Sequence, residues 1–167
     1  MSYKTDRAWG DLLIKEAVRL IAPHIIVVAP DIVDRSHASD LVVLDSARGG
    51  IAYRCRRTNS WSSRYQSQFT LRYWRASGAA TEFKKIMDGY AAWMFYSWSD
   101  GEHFTRWFLL DLNVLRATLE GVDEERLDIT INKDGKSSFV AFNLEDFPPE
   151  MVIDEYTEEA SYEQLAA

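Results

Sequence analysis

The stretch from residue 90 to 98, YAAWMFYSW, constrains the fold more than any other part of the sequence. Its residues are almost all apolar and do not alternate with charged side chains. A strand with one face in water alternates apolar and polar residues, whereas a strand covered on both faces is a nearly continuous apolar run. This stretch therefore predicts a strand that is buried on both faces of a central sheet.

Shorter signals on either side of this strand predict the other elements. A first helix is capped by Thr5 or Asp6 and is predicted to end before Pro23. A second helix, TEFKKIMDG, ends at Gly89, and a third, short helix runs through Arg116 and Leu119. Further strands are predicted at residues 25–29, 40–45, 50–57, 67–74, 106–112, 128–131 and 137–144. The last two flank Lys133-Asp134-Gly135, which is a strong hairpin signal.

This order of elements combines an antiparallel meander with a crossover helix. We therefore expect one α/β (α+β) domain over residues 1–147, with a mixed central sheet flanked by helices and an added C-terminal β-hairpin. A chain of 167 residues, 47% of them hydrophobic, is large enough to bury such a core. Residues 148–167 begin with two prolines and are acidic, so they are predicted to form a partly mobile tail.

Composition excludes several classes of protein. The single cysteine, Cys55, excludes an internal disulfide framework and a cysteine-based zinc site. The three histidines are scattered and have no metal-ligand spacing. No apolar run approaches the ~18 residues that a membrane-spanning helix needs, and the first residues are too charged for a signal peptide. We therefore expect a cytoplasmic protein with no membrane partner.

Charge is segregated along the chain, although the net charge is −7. Residues 46–87 contain nine basic residues, and Glu82 is the single acidic residue among them. From Glu145 to the end there are eight acidic residues and no lysine or arginine. The basic middle segment predicts contact with a polyanion such as DNA or RNA. The acidic tail is a solvated segment, a segment that covers the basic surface in cis, or a mimic of nucleic acid towards another protein.

The arginines of the middle segment are expected to cluster. Arg54 and Arg56 alternate with Tyr53 and Cys55, so both should lie on one face of their strand, and Arg72 has a similar place in the next strand. Clustered guanidinium groups repel one another unless negative charge lies among them. One alternative is contact with phosphates, for which the arginine fork is well shaped. The other is a structural ion-pair network with carboxylates, of which three are candidates: Asp40, Glu82 and Glu16.

The order of elements, with Asp40 opening the second strand, resembles the core of the PD-(D/E)XK (restriction-endonuclease-like) superfamily. In that family carboxylates hold one or two Mg²⁺ ions and a lysine of the third strand helps to activate water. Here Ala52 and Arg54 stand where the family has an acid and a lysine. Glu82 and Lys85, one helical turn apart, are positioned to replace them. The resemblance thus implies Mg²⁺ held by Asp40, Glu82 and Glu16, and catalysis by Asp40, Glu82, Lys85 and Arg54.

Two functional hypotheses follow. The first is a nuclease-like, nucleic-acid-binding protein with Mg²⁺-dependent phosphodiester cleavage, and the sequence also looks similar to small proteins of phages and mobile elements, which implies the cytoplasm of a host cell. The second is a catalytically inactive phage-type protein that binds and inhibits a host or defence protein, which Ala52 and Arg54 favour. The residues predicted to contact nucleic acid are Arg56, Arg57, Arg64, Arg72, Arg75, Lys84, Trp61 and Trp74, with the tryptophans stacking on bases.

Overall fold

The computed structural model describes residues 8–9, 11–28, 41–43, 50–58 and 67–158. Within these ranges the helices are α1 (Ile14–Ile25), α2 (Glu82–Met87) and α3 (Leu112–Leu119). The strands are β1 (Ile26–Val28), β2 (Leu41–Val43), β3 (Gly50–Arg57), β4 (Gln68–Arg75), β5 (Ala91–Ser99), β6 (Phe104–Asp111), β7 (Asp128–Ile131), β8 (Ser137–Asn143) and β9 (Val152–Thr157). The protein is a mixed α/β structure, as its sequence predicts.

Two sheets account for most of the described strands. The four-stranded sheet has the order β3-β5-β6-β9, in which β3 is parallel to β5 and the other pairs are antiparallel. The three-stranded sheet has the order β4-β8-β7 and is antiparallel throughout. The predicted hairpin is confirmed as the β7–β8 pair. β1 and β2 form a separate antiparallel pair.

β3 and β4 lie in different sheets, so they do not pair as neighbours of an antiparallel meander would. β4 and α2 instead form the connection between the parallel strands β3 and β5, and β4 joins the other sheet. Two parallel neighbours require such a crossover, because a short turn can join only antiparallel strands. The predicted crossover helix is therefore present, but the antiparallel meander is not formed by these strands.

The four-stranded sheet lies between two apolar layers. One face packs on α1, where Ala17 and Ile21 contact a cluster that includes Phe95, Trp107 and Leu109. The opposite face packs on the three-stranded sheet, α2 and α3, in a core formed by residues such as Phe69, Leu71, Met94, Tyr96, Phe108, Leu110, Leu115 and Val140. Successive residues of β5 thus belong to different cores, which confirms that this strand is buried on both faces.

Two predicted boundaries change. α1 continues two residues past Pro23, because proline removes only its own donor to the preceding turn and Ile25 still packs against the α1 core. Of the segment predicted as a tail, Met151 is fully buried and β9 pairs with β6 as far as Thr157. The edge of the four-stranded sheet therefore comes from residues beyond 147, and 159–167 lie outside the described residues.

Gly89 ends α2 as predicted, with a φ of +83° just beyond the last helical turn. Among the described residues, no helix has the length and apolar character that crossing a membrane would require.

Candidate nucleic-acid interface

Arg54 and Glu82 form an ion pair between the two sheets. Arg54 Nη1 donates to Glu82 Oε2 at 2.5 Å and to the backbone oxygen of Thr70 at 3.0 Å. The backbone N–H of Arg72 donates to the same carboxylate oxygen at 3.2 Å. Glu82 therefore links β3, β4 and α2, and both charged side chains are only 26% exposed. A structural ion pair was one of the two alternatives that the sequence predicts for the arginines. Glu82 is one of its three candidate carboxylates.

The position of Glu82 follows from how α2 begins. Thr81 is the N-cap residue: its hydroxyl accepts from the backbone N–H of Lys84 at 3.4 Å and donates to the backbone oxygen of Tyr73 at 3.0 Å. These two bonds attach the start of α2 to β4. Glu82 is then the first helical residue, where the helix dipole favours a carboxylate.

Arg56 lies on the same face of β3 as Arg54, as the alternation predicts. Its Nη1 donates to the hydroxyl oxygens of Thr70, at 3.3 Å, and Tyr96, at 3.1 Å. The hydroxyl oxygens of Thr70 and Tyr96 are 3.2 Å apart and form a hydrogen bond with each other. Both arginines thus contact β4 across the space between the sheets. Arg72 joins this group through its backbone, and its half-buried side chain is not part of the ion pair.

The predicted metal ligands are not brought together by the described residues. Glu16 lies on α1, beyond the opposite face of the four-stranded sheet from Glu82. Tyr53 lies close enough to be affected by Glu16: burial is the main cause of its raised pKa, and the charge of Glu16 contributes slightly. The four-stranded sheet therefore separates Glu16 from Glu82, and the structure does not bring these two predicted ligands together. Asp40 lies outside the described residues, and within those residues no three His, Cys, Asp or Glu side chains are grouped to hold a metal.

Lys85 and Glu82 have different surroundings although they lie one helical turn apart. Lys85 is exposed to solvent, whereas the carboxylate of Glu82 faces inward to Arg54. Arg57 lies on the other face of β3, with its guanidinium carbon 4.8 Å from the centre of the Trp9 ring. Two further predicted contacts, Arg64 and Trp61, lie outside the described residues.

The remaining predicted contacts meet at a surface pocket where β4 ends and α2 begins, which we call the β4–α2 pocket. Its volume is about 390 Å³, and it is lined by Tyr73, Trp74, Arg75, Gly78, Ala79, Ala80, Thr81, Phe83, Lys84, Met87, Asp88 and Glu124. Trp74 is 47% exposed, which is unusual for so large an apolar side chain. The Nε of Arg75 is buried and has no hydrogen-bond partner in the described part of the chain. The pocket thus combines an available aromatic face with an arginine that lacks an acceptor.

Negative groups balance part of this charge. The ammonium of Lys84 lies 3.5 Å from Asp88 one turn later, and both side chains are well exposed. Burial and a hydrogen bond to Glu124 raise the pKa of Tyr73 to about 12, so this phenol stays neutral at ordinary pH. The pocket is therefore suited to a ligand that offers a ring and few negative charges, rather than to a dense array of phosphates.

Sequence reasoning missed one arginine of the interior. Arg106 on β6 has a buried Nε with no hydrogen-bond partner among the described residues. It lies outside the basic middle segment, so charge counting did not select it. The sequence still indicated its position, because Arg106 is two residues from Phe108 and four from Leu110 and so lies on the same face of β6. Phe108 and Leu110 are core residues.

No protein-family model matches this sequence, and neither a curated protein nor a solved structure is significantly similar to it.

Proposed function

We propose that the protein binds single-stranded nucleic acid at the β4–α2 pocket and does so without metal-dependent chemistry at Glu82. The observation that carries the proposal is Trp74, which presents nearly half of its surface on the wall of a pocket bordered by Arg75 and Lys84. Single-strand binding proteins combine a basic groove with aromatic side chains on which bases stack.

Each part of the pocket has a role in this proposal. Trp74 offers a face to one unstacked base, and a volume of about 390 Å³ is compatible with a ligand of base size. Arg75 adds a guanidinium to the lining, and Lys84 adds an exposed positive charge at the rim. Asp88 and Glu124 limit the number of phosphates held here, so affinity is expected to depend on stacking more than on salt.

The pairing of Glu82 supports binding over cleavage. A metal ligand needs free carboxylate oxygens, whereas Oε2 of Glu82 accepts from Arg54 and from the backbone of Arg72. The Mg²⁺-dependent nuclease with a restriction-endonuclease-like core stays the alternative proposal, and it rests on element order and on Asp40. Cleavage of DNA or RNA with Mg²⁺ or Mn²⁺ that is lost in Asp40→Ala would establish that alternative.

Fluorescence anisotropy with labelled single-stranded DNA and RNA tests the binding proposal. Trp74→Ala is expected to weaken binding by about 1–3 kcal/mol, the usual contribution of one base–aromatic stack. The matched control is Tyr90→Ala, because Tyr90 is 72% exposed but does not line the pocket. Lys84→Gln should reduce the salt slope of binding by about 0.7, the value for one phosphate contact on a single strand.

Two results would overturn the proposal. If Trp74→Ala and Tyr90→Ala bind equally well, the pocket is not the site. If the unmodified protein binds no oligonucleotide at low salt, nucleic acid is not the partner, and capture of a stoichiometric host protein becomes the experiment that decides the function.

A further inference from the structure

Arg106 places a positive charge at the edge of the core between the two sheets. Its guanidinium carbon lies 4.7 Å from the centre of the Phe108 ring, and its Nε is buried without a hydrogen-bond partner in the described ranges. Burial lowers the pKa of this guanidinium, and the charge of Glu155 on β9 offsets only part of that effect. No described carboxylate is within ion-pair distance of it. A partly buried charge is costly unless it is paired and hydrogen-bonded.

The register of the sheet places a second arginine beside the first. Arg56 on β3 is the partner of Trp98 on β5, and Trp98 is in turn the partner of Arg106 on β6. Partnered residues of neighbouring strands lie on the same face, so the two arginines flank Trp98 on the face that meets the three-stranded sheet. Their backbones are two strand spacings apart, about 10 Å. Trp98 is 3% exposed, and its ring packs edge-on against Tyr96 and Phe108.

The orientation of Arg56 is already set by the protein. The hydroxyls of Thr70 and Tyr96 accept from one of its terminal nitrogens, which leaves its other donors for a ligand. Both arginines retain partial exposure to solvent. The other charged groups on this face are Arg54, which is neutralised by Glu82, and Glu155, which is exposed.

We propose that Arg56 and Arg106, on either side of Trp98, form a binding site for a phosphate group. Arginine forks bind phosphate oxygens through two parallel N–H bonds, and a phosphate between two such forks supplies the acceptors that Arg106 lacks. The site is separate from the β4–α2 pocket: Arg56 meets β4 at Thr70, and Trp74 lies four residues further along, about 14 Å at the rise of a strand. The proposal therefore does not depend on the proposed function.

Isothermal titration with inorganic phosphate tests this site on the full-length protein, in chloride buffer at constant ionic strength. Arg106→Gln and Arg56→Gln are each expected to weaken phosphate binding about tenfold or more. Arg126→Gln removes the same charge from an exposed turn and should leave the affinity within about twofold of the unmodified protein. Trp74→Ala should not change phosphate binding, so failure of this site and failure of the β4–α2 pocket are told apart.

A second readout does not depend on any variant folding correctly. In NMR spectra of the unmodified protein, the Nε–H signals of Arg56 and Arg106 should shift together and saturably as phosphate is added. A 5′-phosphorylated and an unphosphorylated oligonucleotide of one sequence then distinguish the source: tighter binding of the first that is lost in Arg106→Gln assigns a nucleic-acid phosphate, and equal binding assigns free phosphate. Absence of saturable shifts, or equal losses in Arg126→Gln and Arg106→Gln, would overturn the proposal.

Discussion

Replacing Glu82 by glutamine removes a charge from the interior while keeping the shape of the side chain. Removing one partner of a fully buried ion pair costs about 3–5 kcal/mol, whereas exposed pairs contribute about 0–1 kcal/mol. Arg54 and Glu82 are each 26% exposed, so they lie between these limits. The amide oxygen of glutamine can still accept one hydrogen bond, so we expect Glu82→Gln to lower the free energy of unfolding by about 2 kcal/mol.

Urea unfolding followed by tryptophan fluorescence measures this loss. With a slope of about 2 kcal/mol per molar urea, a loss of 2 kcal/mol lowers the midpoint by about 1 M. Glu150→Gln is the matched control, because Glu150 is exposed and is expected to leave the midpoint unchanged. A double-mutant cycle with Arg54→Gln should give a coupling energy of about 0.5–3 kcal/mol between the two positions.

The sign of the result separates the two interpretations of Glu82. A carboxylate kept for a metal lies among other negative groups, so its removal in metal-free buffer leaves stability unchanged or raises it. An ion pair with Arg54 predicts that Glu82→Gln lowers the free energy of unfolding. A Glu82→Gln midpoint equal to that of Glu150→Gln, with no coupling to Arg54, would refute the structural ion pair and revive the metal site.

Four further predictions follow from single residues. Spectrophotometric titration should show one phenol that ionises near pH 12 and disappears in Tyr73→Phe; because this pKa is raised in the folded state, its contribution to stability is present below about pH 10 and is lost as the pH rises to 12. In Glu124→Gln that pKa should fall but stay above 10, since burial is the larger cause. Burial raises the pKa of Cys55, so alkylation at pH ~8 should be slow in the folded protein and rapid in urea, and equal rates would contradict this. Gly89→Ala should lower stability by about 1 kcal/mol because φ is +83°, whereas Gly50→Ala, which has no positive φ, should change it by only a few tenths, as measured by urea unfolding.

Periodicity and turn residues were sufficient to predict most of the individual elements. The bounds of β3, the two-faced burial of β5 and the β7–β8 hairpin all follow from local sequence. The order of the strands in the sheets does not follow from local sequence. Alternation of apolar and polar residues indicates the two faces of a strand but does not indicate which strands pair with it. β3 pairs with β5 rather than β4 because the apolar run of β5 needs a strand on each side, which a meander through β4 would not supply.

The candidate site shows the same limit for charges. Arg54 and Glu82 are 28 positions apart, and either a metal site or an ion pair is compatible with their spacing in sequence. The carboxylate of Glu82 meets Arg54 because β4 and α2 form the connection that packs on this face of β3, and this packing is not visible in the sequence. The sequence predicted that Arg54 and Arg56 lie on one face of β3. It did not predict that Glu82 neutralises Arg54 and leaves Arg56 without a carboxylate partner among the described residues.

Counting charges therefore overestimates one binding surface and misses another. Of the basic middle segment, Arg54 is neutralised internally and Arg57 lies over the ring of Trp9, whereas Arg75 and Lys84 line the β4–α2 pocket. Arg106 belongs to no basic run, yet the sheet register puts it beside Arg56 with an unused donor. Because a donor without an acceptor is costly where water is excluded, such donors indicate ligand positions better than the density of positive charge does. By that criterion the two places at which this protein should bind a ligand are the β4–α2 pocket, where Trp74 offers a face to a base, and the pair of arginines that flank Trp98, where the ligand is a phosphate.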